Sequence, residues 1–196
     1  MTDMSSPKPY LEIACQQVLE EDASVFSVQW ADLPMSLTGD LTPEHLLVRY
    51  LEYINKCTFT VIRPVLLAHG VEFRLIGTER SLISFLPPAY PDGFAILRIC
   101  GGFLVQPRQC DRGELRFGIE PLAEGMRVSL QLSDFCPLIL GSRSPSRLRF
   151  WLYRLTQAAI HRLVTIRFLA LLCHELAGPS AGVRIVNVVV RDGKPV

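Results

Sequence analysis

The chain has 196 residues, 49% of them hydrophobic, a formal charge of +1 and a mean hydropathy of +0.27. That length fits one domain, residues 1–196, with room for a sizeable core, and that charge gives no global pull toward nucleic acid or an acidic partner. The apolar excess needs an outlet, and a cavity, a partner surface or a membrane-facing patch would each provide one.

The opening MTDMSSPKPY lacks the basic and apolar regions of a secretory signal, so the expected setting is cytoplasmic and reducing. Residues 9–21 read as a short amphipathic helix. Residues 24–30 alternate and are rich in β-formers, which predicts a strand. Residues 33–40, with Pro34 and Gly39, read as a loop. Thr42-Pro43-Glu44 is then a helix start: a hydroxyl to cap, a proline at the first position and an acid at the positive end of the dipole. That helix should run to about residue 56.

Six strand candidates follow, at residues 59–67, 71–77, 81–86, 94–105, 114–120 and 126–134. His69-Gly70, Asp111-Arg112-Gly113 and Ala123-Glu124-Gly125 supply turns, while Pro87-Pro88 and Pro91-Asp92-Gly93 force a loop. In the last strand Met126, Val128, Leu130 and Leu132 face one way, and Arg127, Ser129, Gln131 and Ser133 the other, the pattern of a half-buried antiparallel strand. Leu115, Phe117 and Ile119 repeat it. Gly101-Gly102 inside an apolar run predicts a bulge or bend that lets a sheet curl.

Ser144-Pro145-Ser146 opens a long helix over about residues 146–176, and Gly178-Pro179 closes it. Residues 183–190, rich in β-branched side chains, read as a final strand. At a period of 3.6 residues the helix carries two apolar stripes. The first, expected to pack on the sheet, holds Leu148, Leu152, Leu155, Ala159, Leu163, Ile166, Ala170 and Cys173. The second holds Phe150, Tyr153, Ile160, Val164, Phe168 and Leu171. It is expected to pack under the N-terminal segment or, on a sharper reading, to face a membrane surface or a second copy through Phe150, Tyr153, Ile160, Val164 and Phe168. Arg147, Arg154 and His161 share one polar stripe between them. Arg143, Arg147, Arg149, Arg154, Arg162 and Arg167 make this region basic, and no acidic residue lies among them. The longest apolar stretch, residues 163–173, is broken by Arg167 and falls short of the about 20 residues a membrane span needs.

Chemical motifs are absent. There is no GxSxG, P-loop, GxGxxG or HExxH, and the cysteines Cys15, Cys57, Cys100, Cys110, Cys136 and Cys173 form no CxxC pair and stand at no zinc spacing from a histidine. No metal and no cofactor are expected, and no aromatic-and-basic strand pattern suggests nucleic acid. Arg162, inside the first apolar stripe, and Arg98, inside an apolar strand, are the candidate polar anchors for a ligand, with Phe117, Leu130 and Leu155 as wall. A surface arginine is the ordinary alternative for both. Asp134, Tyr153 and His161 are the candidate acids or bases if there is catalysis.

The order strand, helix, six strands, long helix resembles the START-like superfamily of polyketide cyclases and lipid-transfer domains. The run Phe150-Trp151-Leu152-Tyr153 to His161-Arg162-Leu163-Val164 to Phe168 resembles the end of some bacterial members. The resemblance covers residues 24–176. It implies an α+β helix-grip fold: a curved antiparallel sheet of about seven strands around the long C-terminal helix, with an apolar cavity between them. The N-terminal helix (residues 1–23) and the C-terminal strand (residues 179–196) would be additions to that pattern. The superfamily shares no catalytic set, so none is carried over. The leading expectation is binding or carriage of a lipid, polyketide or isoprenoid-like molecule. The alternatives are a cyclase or dehydratase, and a peripheral membrane or partner-docking protein acting through the long helix.

Overall fold

Strand β1 (Tyr10–Leu19) pairs antiparallel with β2 (Val25–Leu33), and after β2 the chain forms a four-residue helix α1 (Met35–Thr38) and then α2 (Pro43–Cys57). A meander of β3 (Ile62–Leu67), β4 (Gly70–Leu75), β5 (Ser81–Phe85), β6 (Phe94–Gly101), β7 (Glu114–Leu122) and β8 (Gly125–Phe135) brings β8 back beside β2. The long helix α3 (Arg147–Ala177) leads to β9 (Gly182–Asn187) and β10 (Lys194–Pro195), both on the outer edge of β1. The strand order is β10-β1-β2-β8-β7-β6-β5-β4-β3, with β9 parallel to β1 and every other pair antiparallel. This computed structural model describes residues 10–39, 41–107, 111–141, 146–178 and 181–196. Pro9, Asp40, Cys110, Arg143, Ser144, Pro145 and Pro179, used in the sequence reading, lie outside them.

The architecture is α+β, a large antiparallel sheet around a long C-terminal helix, the helix grip. Alternation positions its core. Val128 and Leu130 of β8, Leu115, Phe117 and Ile119 of β7, and Ala95, Leu97 and Ile99 of β6 are buried on one face. At Ser133 and Asp134 the β2–β8 register shifts by one residue, and Asp134 takes a positive φ of 53°. That bulge bends β8 where the cavity begins. Gly102, with φ 117°, ends β6, and a side chain there would meet the Leu82 carbonyl oxygen at 2.5 Å. The predicted strand 94–105 therefore stops at Gly101, and Val105 makes only an isolated bridge to Pro137.

Two expectations are corrected here. Residues 10–19 are a strand, not the predicted amphipathic helix. Their Leu, Glu, Ala and Gln content favours helix locally, yet both edges are occupied, by β2 from Ile13↔Ala31 to Leu19↔Val25 and by β9 from Tyr10↔Gly182 to Cys15↔Asn187. Sheet pairing outweighs a propensity of a few tenths of a kcal/mol per residue. Residues 33–40, read as a loop, contain the short helix α1.

α2 begins as its sequence demands. The Thr42 hydroxyl accepts from the His45 N–H at 3.2 Å, with Pro43 in the first turn. It buries Leu46, Leu47, Tyr50, Leu51 and Ile54 against the sheet and α3. The Tyr50 ring packs 5.2 Å from Phe117 of β7 and 5.2 Å edge-on from Phe168 of α3, an aromatic node joining all three layers.

Helix α3 is not uniform. Arg154–Ala158 form a π-turn between two α-helical stretches. An added residue rotates everything before it relative to everything after it. The buried positions are Phe150, Tyr153 and Ala158 before the junction, then Thr165, Phe168, Leu169, Leu172 and Cys173. The expected core stripe is thus corrected over its first half: Leu148, Leu152, Leu155 and Leu163 are 78%, 49%, 69% and 49% exposed. Against the sequence expectation, α3 is long and apolar enough to span a membrane by length and composition; in its C-terminal half one face, Thr165, Phe168, Leu169, Leu172 and Cys173, is buried, where the helix packs on β1 and β2.

Candidate functional site

The concave sheet, the C-terminal end of α2 and the middle of α3 enclose a cavity of about 220 Å³. Its wall is overwhelmingly apolar. The sheet contributes Ile62, Phe73, Ile83, Phe85, Ile99, Leu115, Leu132 and Phe135; Leu104 adds to them from the loop after β6. α2 contributes Tyr50, Ile54 and, just past its end, Thr58. α3 contributes Tyr153, Gln157, Ile160, His161 and Val164.

Polar groups in this wall come mainly from one line on α3. Tyr153, Gln157 and His161 stand four residues apart across the π-turn. In an unbroken α-helix each step of four drifts around the axis, and the wider turn takes up part of that drift. Gln157 Oε1 and His161 Nε2 are both buried and without a hydrogen-bond partner. Burial holds the His161 imidazole down at about 4, so it is neutral at physiological pH. The Tyr153 hydroxyl is pushed above its ordinary range by burial, partly offset by Gln17 beside it. Tyr50 is pushed up in the same way. Among the described residues no lysine or arginine lines the cavity.

The structure brings some of the sequence candidates together and separates others. Tyr153 and His161 share the cavity. Phe117 and Leu130 are fully buried beneath it, Phe117 against Tyr50. Leu155 is exposed on the far side of α3. Arg98 is exposed on β6. Arg162 points to the sheet edge, donating to Asn187 Oδ1 at 2.7 Å and to Cys15 Sγ at 3.3 Å, which ties α3 to β9 and β1. Asp134 sits at the β8 bulge, half-exposed and 3.7 Å from the Arg112 guanidinium. Of the five residues proposed for a docking face, Phe150, Tyr153 and Phe168 are buried, Val164 is half-buried in the cavity wall, and Ile160 borders the cavity while remaining 57% exposed. Among the described residues no three His, Cys, Asp or Glu side chains cluster as metal ligands.

Gln157 is marked by no sequence pattern, and His161, though a candidate acid or base, falls on a polar stripe of the helix. A helical wheel puts His161 on one stripe with Arg154, which is exposed, and only the π-turn parts the two. The one local hint is Thr156, whose hydroxyl donates to the Leu152 carbonyl at 2.6 Å, a side-chain bond that loosens helical turns.

No family model and no curated protein matches the chain. Among solved structures, the crystal structure of CalU16 from Micromonospora echinospora is similar over 84% of this chain and 86% of that one, at 13% identity and a TM-score of 0.36. The solution structure of CalU16 aligns over 89% and 78%, at 12% identity and a TM-score of 0.39. A conserved protein of unknown function from Enterococcus faecalis, EF2215, aligns over 61% of this chain and 60% of that one, with 13% identity and a TM-score of 0.30. At such scores these likenesses carry nothing about the site, which rests on the side chains described above.

Proposed function

We propose that the protein binds a hydrophobic small molecule in the cavity between the sheet and α3. The observation that carries this reading is the cavity itself: about 220 Å³, walled by aliphatic and aromatic side chains, with a few polar groups converging from one helix. Apolar burial would supply affinity and the polar groups orientation. START-like kinship fits the architecture, and the reading does not depend on it.

Filling the cavity tests the proposal. Ile83→Phe and Val164→Phe add volume from opposite walls. Each should leave the melting temperature equal or higher and abolish binding of the neutral two-ring dye 1-aminonaphthalene, read by its fluorescence. Undiminished dye binding in both folded variants would place the dye elsewhere and sink the reading. A second reading, proton transfer on a bound substrate by a cyclase or dehydratase, is favoured by Tyr153 and His161 sharing one wall. Turnover of a polyketide-like substrate that His161→Ala abolishes would support it, whereas a carrier has no turnover to lose.

A further inference from the structure

We infer that the cavity selects a small, uncharged apolar molecule carrying a hydroxyl, an aromatic or alicyclic alcohol, held through that hydroxyl by Gln157 Oε1 and His161 Nε2. This rests on the binding reading above and names its ligand class.

Two unpartnered polar atoms stand in a mostly apolar wall, one helical step apart and on the same side of α3. An orphaned buried polar atom costs free energy in every folded molecule, so a native pair of them calls for a partner. A hydroxyl both donates and accepts. It therefore donates to Gln157 Oε1 and accepts from His161 in its Nε2–H tautomer, satisfying both at once, whereas a carbonyl, which only accepts, leaves Oε1 unpaired. A hydrocarbon would bury both groups unsatisfied. A carboxylate would enter a space where the described lining holds no lysine or arginine, facing an imidazole that carries no charge at neutral pH. The volume lies below the roughly 300 Å³ at which drug-sized pockets begin, so one or two rings is the fitting size. The π-turn is the structural source of the arrangement. It sets Tyr153, Gln157 and His161 along one line and turns Arg154 out to solvent.

The test uses the full chain at pH 7.5 and three matched probes, naphthalene, 2-naphthol and 2-naphthoate, titrated by calorimetry. The expected order is 2-naphthol tightest, about tenfold to a hundredfold over naphthalene, with 2-naphthoate weakest. Gln157→Leu and His161→Phe should each bring 2-naphthol down toward the affinity of naphthalene. His161→Gln, which restores a polar group at that wall, should recover part of the preference and guards against a variant that merely fails to fold. Naphthalene and 2-naphthol binding equally tightly to the native chain would overturn the inference while leaving the cavity reading intact. So would a preference for 2-naphthol that survives in both apolar variants. Failure of all three probes to bind would remove the cavity reading and this inference with it.

Discussion

A histidine held at about 4 inside an apolar wall takes up its proton readily only when the fold gives way. Its folded value lies below the ordinary 6.5, so between the two the unfolded chain binds more protons. The contribution is complete above about pH 6.5 and shrinks as pH falls toward 4, by roughly 3 kcal/mol at most. Tyr50 and Tyr153, the other titratable groups of the wall, are pushed upward and stay neutral across this window. Asp22 titrates lower. Burial raises it, but hydrogen bonds from Ser24 and Arg112 outweigh that and hold it at about 2. Between pH 7.5 and 4.5 urea unfolding should therefore show the native chain losing stability as pH falls and His161→Phe losing much less, so that the gap between them changes with pH. Parallel curves would mean that His161 is solvated and charged in the fold.

At the scale of the element, α3 shows what sequence periodicity reaches and where it stops. Its existence and both its ends were legible, from Ser146 as cap and Gly178 as stop, and the Ser146 hydroxyl does accept from the Arg149 N–H. The buried face was not legible, because both stripes are apolar and one added residue changes which of them meets the sheet. Composition cannot register a single extra residue in a turn. The assignment has a direct mutational consequence. Leu155→Glu, on the exposed side, should change stability by no more than about 0.5 kcal/mol. Phe168→Ala, which breaks the node with Tyr50 and Tyr53, should cost about 3–5 kcal/mol. Equal costs for the two in chemical denaturation would mean that the faces are exchanged.

Across the whole molecule, the meander β3–β8 was readable because its signals are local: alternation within strands, glycine and proline between them. β1 was not, because it is made by its neighbours. Its edge partner is 172 residues away in sequence, where Asn187 lies opposite Cys15. β9 and β10 cover the outer edge of β1, and the segment between them is pinned by Gln16, which accepts from the Val190 and Arg191 N–H groups and donates to the Arg191 carbonyl. The same tail lays Arg191 over the Phe26 ring at 4.3 Å and Lys194 over the Phe150 ring at 3.6 Å, and Asn187 receives Arg162 from α3. One C-terminal segment thus closes a sheet edge and anchors the helix that carries the cavity line. A chain ending at Ala181 should lose both. The bared edge of β1 presents unpaired N–H and C=O groups, the usual template for pairing with another chain. The expected outcome is a lower melting temperature together with dimers or larger species by light scattering, and faster amide exchange in α3 around Arg162. A truncated chain that stays monomeric with an unchanged melting temperature would show that β1 holds its place without the tail, and that α3 is seated by the Tyr50–Phe168 node alone.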